Sequence, residues 1–205
     1  MKSLFINTSS FFMSIAILEN DKLLYKKEEE IPVDMATRII PFIEECFNNV
    51  NFNIEDIDKI FVVNGPGSFT GVRIGVTAAK VLAWTMKKDI IPLSSLEVLA
   101  STYTDSKYRI PLIDARRGYV FAGVYDSTLN NVMEDKYISL SDLDSYKENA
   151  TLISYDNIEG TIKPNIDILT LINKHMDDEP LNPHSLNPNY LKITEAEENL
   201  VNNSD

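Results

Sequence analysis

Short apolar runs alternate with polar punctuation along most of this chain. Residues 3–6 and 12–18 are two such runs, and Asn20-Asp21 separates the second from Leu23-Leu24-Tyr25. That is a turn signal between strands, so the pattern predicts three antiparallel strands with short connections. Asp34 then stands where an N-cap is wanted, ahead of a helix to about residue 50. A second unit has a strand over 60–63, a glycine-rich stretch over 65–71, a helix to about residue 88 and a strand over 90–93. Ser94 or Ser95 is placed to cap a further helix through Thr102, with Glu97 positioned for a capping box. Strand, turn and helix in alternation imply a parallel component in the sheet.

Near residues 105–109 the pattern resets. Strands are predicted over 110–113, 119–125 and 132–139, with Gly118 in a turn and a short helix over 140–146. A strand over 152–154 and a helix over 166–176 follow. The order β-β-β-α-β-α therefore occurs twice, the second time shortened, which divides the chain into lobes at 1–104 and 105–205. Beyond Asp177 the composition turns to Asp, Asn and Pro, with prolines at 180, 183 and 188. This reads as an extended strap ending in a frayed acidic tail.

The helical faces carry more information than the strands. Over 34–50, Met35, Ile39, Phe42 and Cys46 form one row and Ala36, Ile40, Ile43 and Phe47 the next. Together they span about 160°, against the roughly 100° that packing on one core requires, and Pro41 lies outside the arc. The excess implies that the helix covers a second side. In the next helix, Gly71, Gly75, Ala78 or Ala79, and Leu82 make a groove of small residues at spacings of three and four. Such a groove admits another backbone closely, that of its own sheet or of a partner. Arg73, Lys80 and Lys87 recur on the opposite face beside Trp84, as a solvated face or a contact for an acidic or nucleotide-bearing partner.

Composition narrows the function classes. Of 205 residues, 44% are hydrophobic and 24% charged, an ordinary globular balance that excludes a disordered chain. Lys plus Arg is 19 and Asp plus Glu is 31, so the net charge is 19 − 31 = −12. A protein so acidic is repelled by phosphate backbones and anionic membranes, so contact with nucleic acid is expected only through a partner. The single cysteine, Cys46, forms no internal disulfide and fits a reducing compartment. No run of about 18 apolar residues occurs, and the first residues lack a signal peptide's apolar core. A soluble cytoplasmic protein without membrane contact is expected.

Catalytic constellations are hard to assemble. Four of seven glycines fall within eleven residues, in the stretch Gly65, Pro66, Gly67, Ser68, Phe69, Thr70, Gly71 and on to Gly75. A helix N-terminus there could face an anion. No Gly-Lys-Ser/Thr closes a P-loop, however, and the third glycine comes too late for the dinucleotide fingerprint. The plainer reading is a tight turn that aims a helix. His175 and His184 belong to no metal-binding spacing, one cysteine excludes structural zinc sites, and no G-x-S-x-G elbow exists. Asp114, before Ala115-Arg116-Arg117-Gly118, is the best isolated acid, expected to cap the turn or pair with an arginine. No catalytic residue and no metal ligand is assigned.

Three segments now combine. F-V-V-N-G-P-G-S-F-T-G-V-R-I-G over 61–75, S-S-L-E-V-L-A over 94–100 and I-D-A-R-R-G over 113–118 resemble the TsaB (YeaZ) family in order and spacing. L-F-I-N-T-S, M-S-I-A-I-L and the late P-N-Y-L-K are similar to it too. The resemblance covers nearly the whole chain, and the G-P-G-S-F-T-G-V-R-I-G run is its most specific part. It implies an α/β actin-like ATPase (ASKHA) fold with two RNase-H-like lobes, the second reduced. It further implies a non-catalytic dimerization subunit for formation of threonylcarbamoyladenosine beside the anticodon in tRNAs reading A-starting codons.

By the same resemblance the homologous partner TsaD carries the metal-binding histidines and the transfer chemistry, and the small ATPase TsaE completes the complex. The chain alone is expected to bind no cofactor, with ATP and Mg²⁺ left to the complex, and to form a homodimer when TsaD is absent. The implied contact surface comprises Met35, Ile39, Phe42, Ile43, Cys46 and Phe47 on the first helix and Gly71, Gly75, Ala78 and Leu82 on the second. A bulky residue at Gly75 is then expected to abolish the heterodimer and leave the monomer folded.

Three departures from the family pattern stand out. Asn7 occupies the first-strand place where ATPases of this fold need an Asp. Asp34-Met35-Ala36 replaces a His-Ser pair, and Tyr119-Val120-Phe121 follows the arginine turn where relatives continue with an acid. The alternatives are an independent ATPase or peptidase, which finds no metal motif, triad or P-loop here, and a standalone tRNA-binding module, which conflicts with the charge.

Overall fold

A computed structural model describes residues 1–31 and 33–191. The first apolar runs form an antiparallel meander of β1 (Lys2–Asn7), β2 (Phe12–Glu19) and β3 (Lys22–Glu30). Helix α1 (Met35–Phe47) leads to β4 (Lys59–Val63), which pairs parallel to β1. Helix α2 (Phe69–Met86) then returns the chain to β5 (Asp89–Leu93), parallel to β4, giving the order β3-β2-β1-β4-β5.

Helix α3 (Ser95–Ala100) crosses to a second sheet of β6 (Tyr108–Asp114), β7 (Tyr119–Asp126), β8 (Asn131–Ser139), β9 (Ala150–Ile153) and β10 (Thr161–Ile162). Its order, β8-β7-β6-β9-β10, repeats the first sheet strand for strand, with β6 and β9 parallel at the centre. The repeat is therefore one of topology. It is reduced where expected: a 3₁₀ turn (Leu140–Leu143) and the four-residue α4 (Asp144–Lys147) stand in place of α1. A loop between β9 and β10 stands in place of the 18-residue α2. Helix α5 (Ile168–Lys174) closes the second lobe.

Strand periodicity divides the core. Leu4 and Ile6 of β1, with Met13, Ile15 and Ile17 of β2, face α1 and α2. Phe5, Ala16, Leu18, Phe61 and Val63 face the other way, onto α3 and α5 between the two sheets. Central strands buried on both faces read as continuous apolar runs, as 60–63 does. A smaller cluster around Leu112, Val124 and Leu143 fills the far side of the second sheet.

Two local expectations are corrected. Asp34 is the N-cap residue of α1 but holds left-handed backbone, φ 60°, and its side chain makes no capping bond. Its carbonyl accepts from the Thr37 N–H and hydroxyl instead. Ser94 caps α3 through the Leu96 N–H, yet Glu97 forms no capping box. Glu97 turns toward α5, meeting Lys174 Nζ at 2.6 Å and His175 Nε2 at 2.9 Å, while His175 Nδ1 lies 2.6 Å from Asp178. Lys174 also donates to the Leu129 carbonyl.

Burial alone would raise the Glu97 carboxyl, but His175 and Lys174 outweigh it and hold it below its ordinary 4.5. Burial likewise opposes charge on His175, and Glu97 and Asp178 overcome it, raising the imidazole above 6.5. A raised histidine contributes stability that is complete below pH 6.5 and is lost as pH rises through the raised value. A lowered carboxyl contributes stability that is present above 4.5 and is lost as pH falls through the lowered value. Thermal melts from pH 5.5 to 9 are therefore expected to show a decline in Tm above pH 6.5 that is flattened in His175→Gln. Identical slopes in the two proteins would remove this staple from the account.

The strap crosses the first lobe and covers the cationic face of α2. Leu181 bridges Ile90, the Asn189 N–H donates to the Asn64 carbonyl, and Lys80 Nζ donates to the carbonyls of His184 (3.3 Å) and Leu186 (2.8 Å). Arg73 Nε donates to Tyr190 Oη at 2.7 Å, and its guanidinium lies 3.7 Å over the Phe69 ring. Trp84 packs on His184. The row read as solvated is thus largely an intramolecular clasp, with only Lys87 left at the left-handed C-cap. The expected acidic tail lies outside the described residues.

Candidate functional site

The glycine-rich loop follows β4 because the strand must turn sharply into α2. Gly65-Pro66 is cis, and Gly67 has φ 152° with room for no side chain: an added Cβ would sit 2.2 Å from the Ser9 carbonyl oxygen. The Ser68 N–H donates to that same carbonyl at 2.7 Å, and Ser68 Oγ accepts from the Gly71 N–H. The loop is clamped to the β1–β2 turn on one side and to the strap on the other, where Gly65 meets the Asn189 carbonyl. This is the geometry of a turn that aims a helix, with Thr70 exposed just beyond it.

Loop, β1 and the second lobe together border a cleft of about 710 Å³ between the lobes. Asn7, Ser9, Gly67, Ser68 and Gly71 line it from one side, and Asp114, Arg116, Tyr155 and Asp156 from the other. Asn7 Oδ1 accepts from the Ser9 N–H (3.0 Å) and hydroxyl (2.8 Å). Asp114 Oδ1 caps the turn by accepting from the Arg116 N–H, as its plainer reading held, and the Asp114 N–H donates to Asp156. Phe11 and Phe12 pack against Tyr155 across the mouth. Sequence reasoning missed Ser9, which a local turn brings to Asn7, and Tyr155 and Asp156, which only the lobe packing brings to the cleft.

The residues expected on the partner surface divide sharply. Ile39, Phe42, Ile43, Cys46 and Ala78 are buried against the chain's own sheet. Burial pushes the Cys46 thiol up to about 11, as suits an inert core group. Gly71 and Gly75 face Thr8, whose hydroxyl donates to the Gly71 carbonyl. A Cβ would lie 2.1 Å from the Thr8 carbonyl oxygen at Gly71 and 2.2 Å from Thr8 Oγ1 at Gly75. These seven positions serve the chain's own packing, so a bulky residue at Gly75 strikes the monomer first. Met35, Phe47 and Leu82 are half-buried at the edges of that core.

The apolar residues that face outward are others. On α1 and just before it, Val33 is 68% exposed and Ile40 46%, with Ala36 between them. On α2, Val81 is 58% exposed and continues a stripe from Thr70 through half-buried Ile74 and exposed Thr77. The two helices pack side by side over the same sheet face. Of the apolar arc of α1, Ala36 and Ile40 thus lie on the surface, as do Val33 ahead of the helix and Val81 on α2.

Comparison with known proteins places this architecture. The family description "TsaD: tRNA N6-adenosine threonylcarbamoyltransferase" matches residues 34–175. The chain is 32% identical to the tRNA threonylcarbamoyladenosine biosynthesis protein TsaB of Bacillus subtilis, with 96% of each chain covered. The chain belongs to the TsaB (YeaZ) family of tRNA threonylcarbamoyladenosine biosynthesis proteins. The structure of YeaZ from Pseudomonas aeruginosa has the same fold, with a TM-score of 0.80 at 21% identity over 93% of this chain and 99% of that one. The tRNA N6-adenosine threonylcarbamoyltransferase of Persephonella marina is 29% identical over 55% of this chain and 38% of its own. Two lobes of one topology around a cleft are the actin-like ASKHA architecture. Among the described residues no helix is long and apolar enough to cross a membrane, and no group of three His, Cys, Asp or Glu side chains is arranged to hold a metal.

Proposed function

We propose that, within the tRNA threonylcarbamoyladenosine biosynthesis of its family, this chain is a non-catalytic scaffold that binds TsaD through the outer face of α1 and α2. The observation that carries the reading is the exposed apolar edge of Val33 ahead of α1, Ile40 on α1 and Val81 on the neighbouring α2. Such an edge marks a protein contact when it lies on rigid elements. The match of a TsaD description to residues 34–175 supports a partner of like fold, which would meet this face with its own equivalent helices. A surface of this kind is close to self-complementary, so the same face pairs two copies when TsaD is absent.

The cleft supports the non-catalytic half of the proposal. Asn7 is neutral and its carbonyl oxygen is held by Ser9, while Asp114 accepts from the Arg116 N–H and Asp156 from the Asp114 N–H. These residues fit a metal–phosphate centre poorly, so ATP with Mg²⁺ belongs to the complex, which TsaE completes. A net charge of −12 likewise assigns tRNA to the complex rather than to this chain.

Size-exclusion chromatography with light scattering tests the assembly. The chain alone is expected to run as a concentration-dependent dimer and, with equimolar TsaD, as a one-to-one heterodimer. A monomer at every concentration that never co-elutes with TsaD would overturn the proposal.

A further inference from the structure

The turn between β6 and β7 holds three successive residues in left-handed backbone: Arg116 at φ 68°, Arg117 at 56° and Gly118 at 81°. Glycine takes that conformation freely, whereas larger residues take it at a cost, and such strain clusters at functional sites. The larger residues here are two arginines. Both are exposed, and among the described residues neither guanidinium has a hydrogen bond or an ion pair. The other three arginines of the chain are engaged: Arg38 with Glu29, Arg73 with Tyr190 and Arg109 with the Ala100 carbonyl. Asp114 and Asp156, which line the cleft with Arg116, are taken up by backbone N–H groups instead.

An aromatic strip starts where the turn ends. Tyr119, 42% exposed, stacks on Tyr137 of β8 at 4.8 Å with 6° between the rings, and Phe121 packs on Tyr137 at 5.7 Å. Tyr119 and Phe121 are two apart on β7 and share one face of the second sheet, the face that Phe121 brings to the cleft. Exposed guanidiniums beside a flat ring on a sheet match two features of RNA at once, its phosphates and its unstacked bases. An acidic protein segment would use the arginines and leave the ring without a counterpart.

We infer that this turn is the chain's own contact with RNA in the complex, with Arg116 and Arg117 on backbone phosphates and Tyr119 under an unstacked base. The inference rests on the scaffold reading, because a net charge of −12 confines so small a patch to acting within a larger assembly. The turn belongs to the second lobe and the α1–α2 face to the first, so its variants leave the TsaD contact intact.

Fluorescence anisotropy of labelled tRNA with the TsaD complex of this chain, across a series of salt concentrations, tests it. Arg116→Gln/Arg117→Gln is expected to weaken binding about 10-fold. It should also lower the slope of log affinity against log salt by about 1.4, at roughly 0.7 per phosphate of a single strand. Tyr119→Ala should weaken binding by about 5- to 50-fold with the slope unchanged, as loss of stacking does. Each variant should melt, and co-elute with TsaD, as the unaltered chain does. Photo-cross-linking of 4-thiouridine-substituted tRNA in the same complex is expected to join the peptide that contains Tyr119. Unaltered affinity and slope in the double variant, or loss of TsaD or TsaE rather than of tRNA, would overturn the inference. Failure of the unaltered chain to co-elute with TsaD would instead remove the scaffold reading, and this contact with it.

Discussion

Ile40→Asp is expected to weaken association with TsaD by at least about 100-fold while leaving the fold of the chain intact. Ile40 is half-exposed on α1 and makes no part of the buried core, so its replacement should change stability by no more than about 0.5 kcal/mol. On the proposed reading the same position meets TsaD in an apolar contact, where an unpaired carboxylate must lose its water. A loss of about 2.7 kcal/mol, which is 100-fold, is within the range of a central interface residue. Val81→Asp, on the neighbouring helix, should act in the same direction. Titration calorimetry with TsaD, beside a thermal melt of each variant, checks both parts. Unaltered affinity for both variants would place the partner elsewhere.

Gly71→Ala is expected to strike the monomer instead. Its new Cβ would approach the Thr8 carbonyl oxygen to 2.1 Å, and a backbone atom cannot swing away as a side-chain tip would. The helix would have to lift from β1, losing the Thr8 hydroxyl bond to the Gly71 carbonyl. A cost of about 3 kcal/mol or more follows, at the upper end for an overpacked core. For a chain of this size that lowers Tm by about 6–12 °C. Gly75→Val should also destabilise, by less, because its obstacle is the Thr8 side chain. Unchanged melting for both would mean that α2 does not sit on β1 as described.

These two variants also show where the sequence could and could not be read. Strand and helix positions were legible because apolar periodicity reports burial directly, and the topological repeat followed from element order. The width of the α1 apolar arc matched more apolar residues than the core takes up, since Ile40 stays half-exposed. Periodicity gives no absolute orientation, however, so the row containing Ile39, Phe42 and Cys46 could not be told from the row containing Ile40. The α2 groove posed the same ambiguity, and Thr8 resolved it toward the chain's own sheet. Glu97 is a different case: its capping spacing was correct, but Lys174 and His175, almost eighty residues later, offered ion pairs that outcompete a local bond. The clasp of Arg73 and Lys80 on the strap was equally remote in sequence.

Reconstitution tests the central claim most directly. Purified TsaD, TsaE, tRNA and threonylcarbamoyl-AMP are incubated with and without this chain, and the modified nucleoside is read by mass spectrometry. Product that appears only with the chain, is lost with folded Ile40→Asp, and does not form from the chain alone is the predicted result. Equal product without the chain, or with Ile40→Asp and Val81→Asp in its place, would contradict the account.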